Sequence, residues 1–489
     1  MKLLTSLTVT LAISFGLSAQ TAFDILRFSQ FDVGGTARTV GIGGGIGALG
    51  ADFSVLSTNP AGLAAFRRSE LTLTPTLYTS RVTSTLDGAA TNLGFNEERS
   101  NFNFNNLGLV LAHRPTGSKW STVNFGIGMN RLANFYETFS YSGTSTGSIT
   151  DRFVELADGF TADELDNFEA GIAYEVGAIF NPDSDPTFYN NDFLPGEQVD
   201  KAQIVRTEGS INELLFSFAG NYEEKLMLGL TMGVPFLDFN EVKTYTETDD
   251  ENRNPIFNEL TFEEYLNISG TGINLKMGFI YRPIQEFRIG AAVHTPTAFN
   301  LEDNYSTEIA YDFTLGGDQY FESQSPNGLF DYKIKTPWRV IGSAAFLYQK
   351  LGFLTAEVEW VDYSSATFNF NNTTSAEDKA YERDLNNEVV DQFQPAVNIR
   401  LGGELTYDIF RFRAGYNIYN SPVKNDDVSH DAFSFGFGIR EKSFFIDLAY
   451  KQTNLAETYF PYFTAAAAQP EVANEVKTQR FLATFGFKF

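Results

Sequence analysis

The 489-residue chain contains no cysteine, so no disulfide braces its fold and no lipoprotein anchor follows its N-terminal apolar run. It has only three histidines, His113, His294 and His430, which do not cluster, and this leaves axial ligation of haem without support. Positive charge is scarce. The 35 Lys and Arg face 61 Asp and Glu, for a net charge of −26. Such a chain repels nucleic-acid phosphates and binds no nucleic acid. Its acidity suits a solvated surface, or loops set among cation-bridged anionic lipids. No D-x-[DN]-x-[DN]-G loop is present, so the acidic runs read as solvated rather than as calcium sites. No serine, histidine and acid stand out as a set, and the chain is read as a non-enzyme without a cofactor. Beyond the first residues, no apolar run of about 18 residues could form a transmembrane helix.

What is present begins with MKLLTSLTVTLAISFGLSAQ. Lys2 precedes an apolar run to Leu17 and then small residues, the pattern of a secretory signal peptide cleaved after Ala19. Residues 1–19 are thus assigned to export. Further on, Gly45-Ile46-Gly47-Ala48-Leu49-Gly50 spells G-x-G-x-x-G, and Glu70 stands where a dinucleotide fold would place its ribose acid. That reading requires a βαβ unit after the glycines. None follows, and an exported chain is a poor place for a nicotinamide dehydrogenase.

From residue 69 onward the hydrophobic period is two. Leu226, Leu228, Leu230, Met232 and Val234 share one parity, as do Phe410, Phe412, Ala414, Tyr416 and Ile418. Such alternation marks strands with one apolar face. Fourteen strands are expected, centred on 69–80, 101–113, 119–136, 211–222, 225–240, 261–281, 285–299, 329–348, 351–366, 392–407, 409–420, 431–440, 443–453 and 477–489. Short linkers near 113–119, 223–224, 282–284, 349–350, 408 and 441–442 alternate with long polar ones. Short turns on one side and long loops on the other describe an all-β transmembrane antiparallel barrel. The second face carries Gly, Asn, Ser and charges of both signs, which suits a polar lumen rather than a sandwich exterior. In the last strand Phe481, Ala483, Phe485, Phe487 and Phe489 alternate with polar residues, and Leu482 is the exception. A terminal aromatic such as Phe489 resembles the signal read by the barrel-assembly machinery of bacterial outer membranes. One region breaks the rhythm. Residues 151–180 show helical spacing (Phe153, Leu156, Phe160), and a capping box at Thr161 and Glu164 predicts a helical insertion in the longest outer loop.

Residues 20–68, before the first strand, are glycine-rich and too poor in charge for a flexible tail. They are expected to form a hatch that plugs the lumen, which fourteen strands would otherwise leave open. At this point the stretch GGTARTVGIGGGIGALGADFSVLSTNPAGLAAFRRSELTLTP is similar to the N-terminal hatch of the FadL/TodX family of outer-membrane transporters for hydrophobic compounds. The likeness rests on the glycine-rich run, Asp52, and Asn59-Pro60-Ala61-Gly62-Leu63 just before the strand from Ser69.

The resemblance implies a monomeric channel in the outer membrane of a Gram-negative bacterium, surrounded by lipid and lipopolysaccharide. Passive uptake of long-chain fatty acids or aromatic hydrocarbons would run in three steps: capture by outer loops, binding beside the hatch N-terminus, and release by hatch movement, sideways or downwards. Phe23, Ile25, Leu26 and Phe28 are candidates for ligand contact and gating. Asp52, Asn59, Pro60, Ala61 and Gly62 are the hatch motif. Gly126, Gly128 and Asn130 on the third strand are candidates for a lateral gate, since glycine on a strand can mark a kink. Lumen-facing Arg288, Glu357, Glu359, Arg400, Glu404, Arg411, Arg413 and Asp447, with Lys276, are read as a paired charge network that grips the hatch. One arginine among the lumen charges could instead meet a carboxylate head group. A general or sugar porin, or a haem-uptake receptor, is the alternative, and the hatch argues against the porin.

Overall fold

A computed structural model describes residues 21–32, 34–89, 94–182, 185–370, 375–426, 429–467 and 469–489; the segment assigned to export, 1–19, lies outside the described residues. Each of the fourteen regions of period two forms one barrel strand. They are β1 (Glu70–Leu86), β2 (Phe95–His113), β3 (Trp120–Asn134, resumed at Glu137–Thr146), β4 (Gln198–Tyr222), β5 (Leu226–Thr248), β6 (Phe257–Tyr281) and β7 (Phe287–His294 and Ala298–Thr314). Then follow β8 (Asp318–Gln324, Gly328–Lys335 and Arg339–Tyr348), β9 (Gly352–Asp362 and Thr367–Asn369), β10 (Pro395–Tyr407), β11 (Phe410–Asn420), β12 (Ser429–Arg440), β13 (Phe444–Tyr459) and β14 (Val472–Lys488). Neighbours pair antiparallel, and β1 pairs with both β2 and β14, so that Glu70 faces Val110 on one side and Lys488 on the other. The sheet is closed, with neighbouring strands paired all the way round except where the outer parts of β2 and β3 separate.

The strands run longer than the alternation suggested, because the outer halves of β4, β5 and β6 continue past the apolar belt. On β5 the outward Leu228, Leu230, Met232 and Phe236 are exposed, and the outward positions beyond them, Asp238, Asn240, Val242, Thr244 and Thr246, are polar except Val242. About ten residues of tilted strand span the hydrocarbon, and the remainder rises above it. An exposed apolar belt of this extent is stable in a bilayer and not in water. No helix among the described residues is long and apolar enough to cross a membrane.

Breaks within β7 and β8 have a local cause. Pro296 and Pro337 lack the amide hydrogen a ladder needs. Threonines substitute: the Thr297 amide donates to Thr336 Oγ1 (2.9 Å), the Thr336 amide to the Thr297 carbonyl (3.0 Å), and the Leu275 amide to Thr295 Oγ1 (3.0 Å).

The lumen is filled in layers. Nearest the short turns, Ile42, Ile46, Leu49, Phe53, Leu56 and Leu63 of the N-terminal segment pack on Val110, Leu215 and Met227 of the wall. A second apolar layer surrounds helix α1 (Ala22–Arg27), and a third lies under the outer loops. Leu482 turns inward against Ala37, Val40 and Ala449, which explains why it breaks the parity of its strand.

The outer loops differ from expectation. The insertion carries α3 (Ile149–Ala157) and α4 (Ala170–Glu175), but Thr161 and Glu164 do not start a helix. They bond as a capping box does, with the Thr161 amide donating to Glu164 Oε2 (3.0 Å), yet they close only a turn. The box that opens α3 is Ser148 with Asp151, and Asp166 takes three amides at the start of the later helical turn. A further helix, α5 (Ala376–Gln392), lies in the loop after β9. It is mostly polar, and its buried contacts rest on Leu385 and Val389.

Candidate functional site

The N-terminal segment is held in shape by three short polar side chains. Thr36 caps helix α2 (Ala37–Gly41) by accepting from the Thr39 amide. Asp52, buried, accepts from Thr36 Oγ1 (2.8 and 2.9 Å), Thr39 Oγ1 (3.1 Å) and the Ser54 amide (3.0 Å). One carboxylate thereby ties the glycine run's entry to its exit. Asn59 caps the turn Pro60–Ala65 by accepting from the Ala61 amide (3.2 Å), and its own amide donates to the Gly47 (2.7 Å) and Phe279 (3.1 Å) carbonyls. Pro60 suits the first position of that turn because its fixed φ costs nothing there. Gly62 completes the knot: its carbonyl accepts from the Ala51 amide (3.0 Å), and a Cβ there would press on Val55 and Gly50.

The same segment is bonded to the wall all round. Glu357 accepts from the Gly47 amide (2.9 Å), Arg288 donates to the Leu49 carbonyl (2.6 Å), Thr355 to the Gly45 carbonyl (2.7 Å), and the Asn124 amide to the Leu63 and Phe66 carbonyls (2.8 and 3.0 Å). Arg413 bonds Glu404 and Asp447 (both 2.7 Å), Arg440 bonds Asp447 (2.7 Å), and Arg38 of the segment lies 3.8 Å from Glu404. Arg400 bridges Glu357 (2.9 Å) and Glu359, and Glu359 also holds Arg339 (2.9 Å), which donates to the Ser29 carbonyl. Arg411 joins this cluster at its rim, 3.8 Å from Glu404, and donates to the Asp408 and Phe410 carbonyls. Asp32 adds a further anchor, 2.7 Å from Lys451 and 2.9 Å from Arg480. Buried charges tolerate the loss of water only when paired in this way.

The wall itself has a seam. β2 pairs with β3 only from Asn106 opposite Asn130 down to His113 opposite Val123. Above that rung, residues 95–105 of β2 have no ladder partner on the β3 side among the described residues. β3 carries a bulge between Arg131 and Ala133, breaks at Phe135 and Tyr136, and resumes with Phe139 and Tyr141 packed inward against Val82 and Leu86. This places the bend beyond the glycines where a kink was expected. Gly126 and Gly128 are paired on both sides, Gly126 with Val110 and Ser217, Gly128 with Gly108 and Leu215. They make room for the plug: a Cβ on Gly126 would lie 3.0 Å from Leu56, and one on Gly128 would collide with the Leu107 carbonyl and stand 2.6 Å from Phe53.

What lies behind the seam is the N-terminal segment. The Asp32 amide donates to the Leu132 carbonyl of β3 (3.1 Å), and Asn105 of β2 donates to the Gly35 carbonyl (2.8 Å). Asn130, on the last paired rung, donates to Ser57 Oγ (2.9 Å) and accepts from Asn106 (2.8 Å). Just above the last paired rung the parted strands are thus joined through the plug rather than by a ladder of their own. Across the seam's outer part only side chains reach, Arg99 to the Thr207 carbonyl (2.9 Å) and Ser140 to Glu97 (2.8 Å).

Above the seam, α1 occupies an apolar chamber. Ile25 and Phe28 are fully buried and Leu26 nearly so, among Phe239, Phe299, Tyr332, Phe368 and Phe393. Phe28 meets Phe135 and Phe239 edge-on, at 6.0 and 5.9 Å between ring centroids. Phe23 is 45% exposed and touches Phe393 at 5.7 Å. Burying side chains of this size is worth about 1.5–3 kcal/mol each, so the chamber holds α1 firmly when no other apolar occupant is present. Phe489, 65% exposed on the outer face, donates its amide to the Ser69 carbonyl (3.1 Å) beside the start of β1.

Sequence reasoning named most of the charged cluster but missed Arg339, Arg440 and the Asp32–Lys451–Arg480 triad. The parity of β13 and β14 already puts Lys451 and Arg480 on the lumen face. Nothing local marks Asp32 as their partner.

No protein-family model matches the chain, and no curated protein sequence matches it. Solved structures do. A Pseudomonas aeruginosa FadL homologue is 12% identical with a TM-score of 0.54, over 94% of this chain and 100% of the other. The Pseudomonas putida toluene transporter TodX is 13% identical (TM-score 0.52) and covers 94% of this chain and 100% of its own. The Ralstonia pickettii toluene transporter TbuX is 13% identical (TM-score 0.51), over 94% of this chain and 99% of its own. At such identities the likeness is one of architecture, and the chain has the hatch-plugged, fourteen-stranded barrel fold of the FadL and TodX transporters.

Proposed function

We propose that the protein is an outer-membrane channel of a Gram-negative bacterium for passive uptake of hydrophobic small molecules, long-chain fatty acids or aromatic hydrocarbons. The observation that carries this reading is the plug's place in the seam, where Asp32 and Gly35 bond the two strands that have parted. A compound captured by the outer loops enters the chamber and displaces α1. Because α1 leads directly into Asp32, its displacement pulls on the seam's stopper. Once Asp32 and Gly35 withdraw, the gap between β2 and the outer half of β3 opens towards the bilayer, and an apolar compound leaves sideways. No energy source is required, since the compound moves down its gradient. Proteins described as toluene transporters share the fold, which supports an apolar cargo. Asp52, Asn59, Pro60, Ala61 and Gly62 keep the plug folded while it moves, and Phe489 serves barrel assembly. The channel acts as a monomer, without cofactor or catalysis.

The test is uptake of a labelled long-chain fatty acid, toluene and a small sugar by Gram-negative cells lacking their own transporter, with and without this chain. Entry of the fatty acid or toluene without the sugar is the expected result. Sugar entry would mean an open pore, and entry of none of the three would remove the channel reading.

A further inference from the structure

The seam is pinned at both ends. Below, the ladder between β2 and β3 closes it at the rung of Asn106 and Asn130. Above, β3 resumes at Glu137 and laps over the inner face of the wall, where Phe139 clusters with Val82, Val205 and Val476, and Tyr141 with Leu86 and Val472. Side chains clasp this lap. Ser80 of β1 donates to Glu137 Oε2 (2.8 Å), and Ser140 donates to Glu97 Oε1 of β2 (2.8 Å). Arg99 of β2 makes the most bonds. Its guanidinium donates to the Thr207 (2.9 Å) and Glu137 (3.4 Å) carbonyls, bonds Glu208, and stands over the Tyr136 ring at 5.2 Å. One fork thus serves carbonyls on two strands at a level where β2 forms no ladder on that side among the described residues. Arg99 and Glu208 are 21% and 43% exposed, so their ion pair holds little by itself and the carbonyl bonds carry the clasp.

Between the two ends, residues 100–105 of β2 are free of the β3 ladder, a stretch of roughly 20 Å at about 3.3 Å per residue. Phe102 and Phe104 in this stretch are 65% and 46% exposed, whereas the exposed positions above them are Ser100, Glu98 and Asn96. The free stretch therefore faces hydrocarbon, and the clasp stands at the polar boundary. A slit held at both ends widens only by bowing of its edges, while one freed at its outer end swings open as a flap. We infer that Arg99 is a specificity-determining residue: it holds the outer end of the seam shut and so limits the width of the exit. Single-ring and single-chain compounds pass, and fused-ring compounds do not. This deepens the channel reading and rests on it.

The test compares entry of labelled toluene and labelled pyrene into Gram-negative cells lacking their own transporter, with heat-dependent gel mobility reporting the folded barrel. Wild type should admit toluene at least about tenfold faster than pyrene, a discrimination within reach of steric fit. Arg99→Ala should raise pyrene entry about tenfold, towards the toluene rate, and leave toluene unchanged. Arg99→Lys keeps the charge, loses the fork and should fall between. An arginine needed only for folding would lower both compounds together. A folded Arg99→Ala barrel that still excludes pyrene overturns the assignment. Equal entry of both compounds through wild type overturns it and leaves the channel standing, whereas entry of neither overturns both. A second variant, Glu97→Cys with Ser140→Cys joined by a dithiol-reactive bridge, locks the lap and leaves Arg99 in place. Toluene should enter it at the wild-type rate, because the exit lies below the clasp. Loss of toluene entry on bridging would show that the lap itself must open and would overturn the inference.

Discussion

Replacing Asp32 by alanine isolates the contact that pins the plug at the seam. Asp32 bonds Lys451 at 2.7 Å and Arg480 at 2.9 Å, and the side chains are 23%, 5% and 17% exposed respectively. Removing one partner of a buried pair costs about 3–5 kcal/mol, because the other charge stays buried and uncompensated. Asp32 is itself partly solvated, so the lower end, about 3 kcal/mol, applies. The two cations belong to the wall and Asp32 to the plug, so this cost falls on the closed arrangement. At about 1.4 kcal/mol per tenfold, the fraction of molecules with the plug displaced should rise roughly a hundredfold. The assay is entry of a small sugar into liposomes carrying the purified protein. Asp32→Ala should admit sugar where wild type does not, while heat-dependent gel mobility shows the barrel intact. Asp32→Asn with Lys451→Met should leak less than Asp32→Ala, because one stranded charge has gone. An intact Asp32→Ala barrel as sugar-tight as wild type would refute the idea that this triad holds the plug.

Deleting residues 23–28 should impair uptake of a hydrophobic substrate and leave the barrel heat-stable; unchanged uptake would contradict a gating role for α1. Phe28→Ala alone removes about 3–5 kcal/mol of packing, so backbone amides of α1 should exchange with deuterium faster while the barrel strands do not. Gly128→Ala should weaken assembly far more than Gly126→Ala, since the first places a methyl against the Leu107 carbonyl of the wall and the second against a movable Leu56 side chain 3.0 Å away; equal yields of folded barrel would show that the Leu107 contact does not require glycine at 128. Glu155 of α3 accepts from the Ala465, Ala466 and Ala467 amides (2.5, 2.9 and 3.2 Å), so Glu155→Ala should free the last outer loop and speed its cleavage by added protease.

The barrel was legible because alternation is a two-residue signal that a strand between lipid and lumen cannot avoid. Leu228, Leu230 and Met232 announce their face whatever their partners. The broken strands were less so: Pro296 and Pro337 interrupt the ladder, but the alternation resumes beyond them, and only the threonine bonds mark the break. The α5 helix escaped notice because its single apolar ridge, Leu385 and Val389, is too sparse for helical periodicity to show. At the site, Asp52, Asn59 and Pro60 stood out through the likeness to the FadL/TodX hatch, and their capping bonds became visible only in the structure. The seam did not, because it depends on which strand pairs with which, a property of residues far apart in the chain. The glycines of β3, read as candidates for a gate, accommodate Phe53, Leu56 and Leu63, and the strand bends further on.

The measurement that bears most directly on the account is a crosslink between plug and wall. The chain has no cysteine of its own, so a pair introduced at Ser57 and Asn130 is uniquely reactive. Ser57 Oγ and Asn130 Nδ2 lie 2.9 Å apart on the last paired rung below the seam, which brings two cysteines within reach of a disulfide or a short dithiol-reactive bridge. The oxidised Ser57→Cys, Asn130→Cys protein should lose uptake of a hydrophobic substrate, and reduction should restore it. Uptake at the wild-type rate with the crosslink complete would contradict a plug that must move.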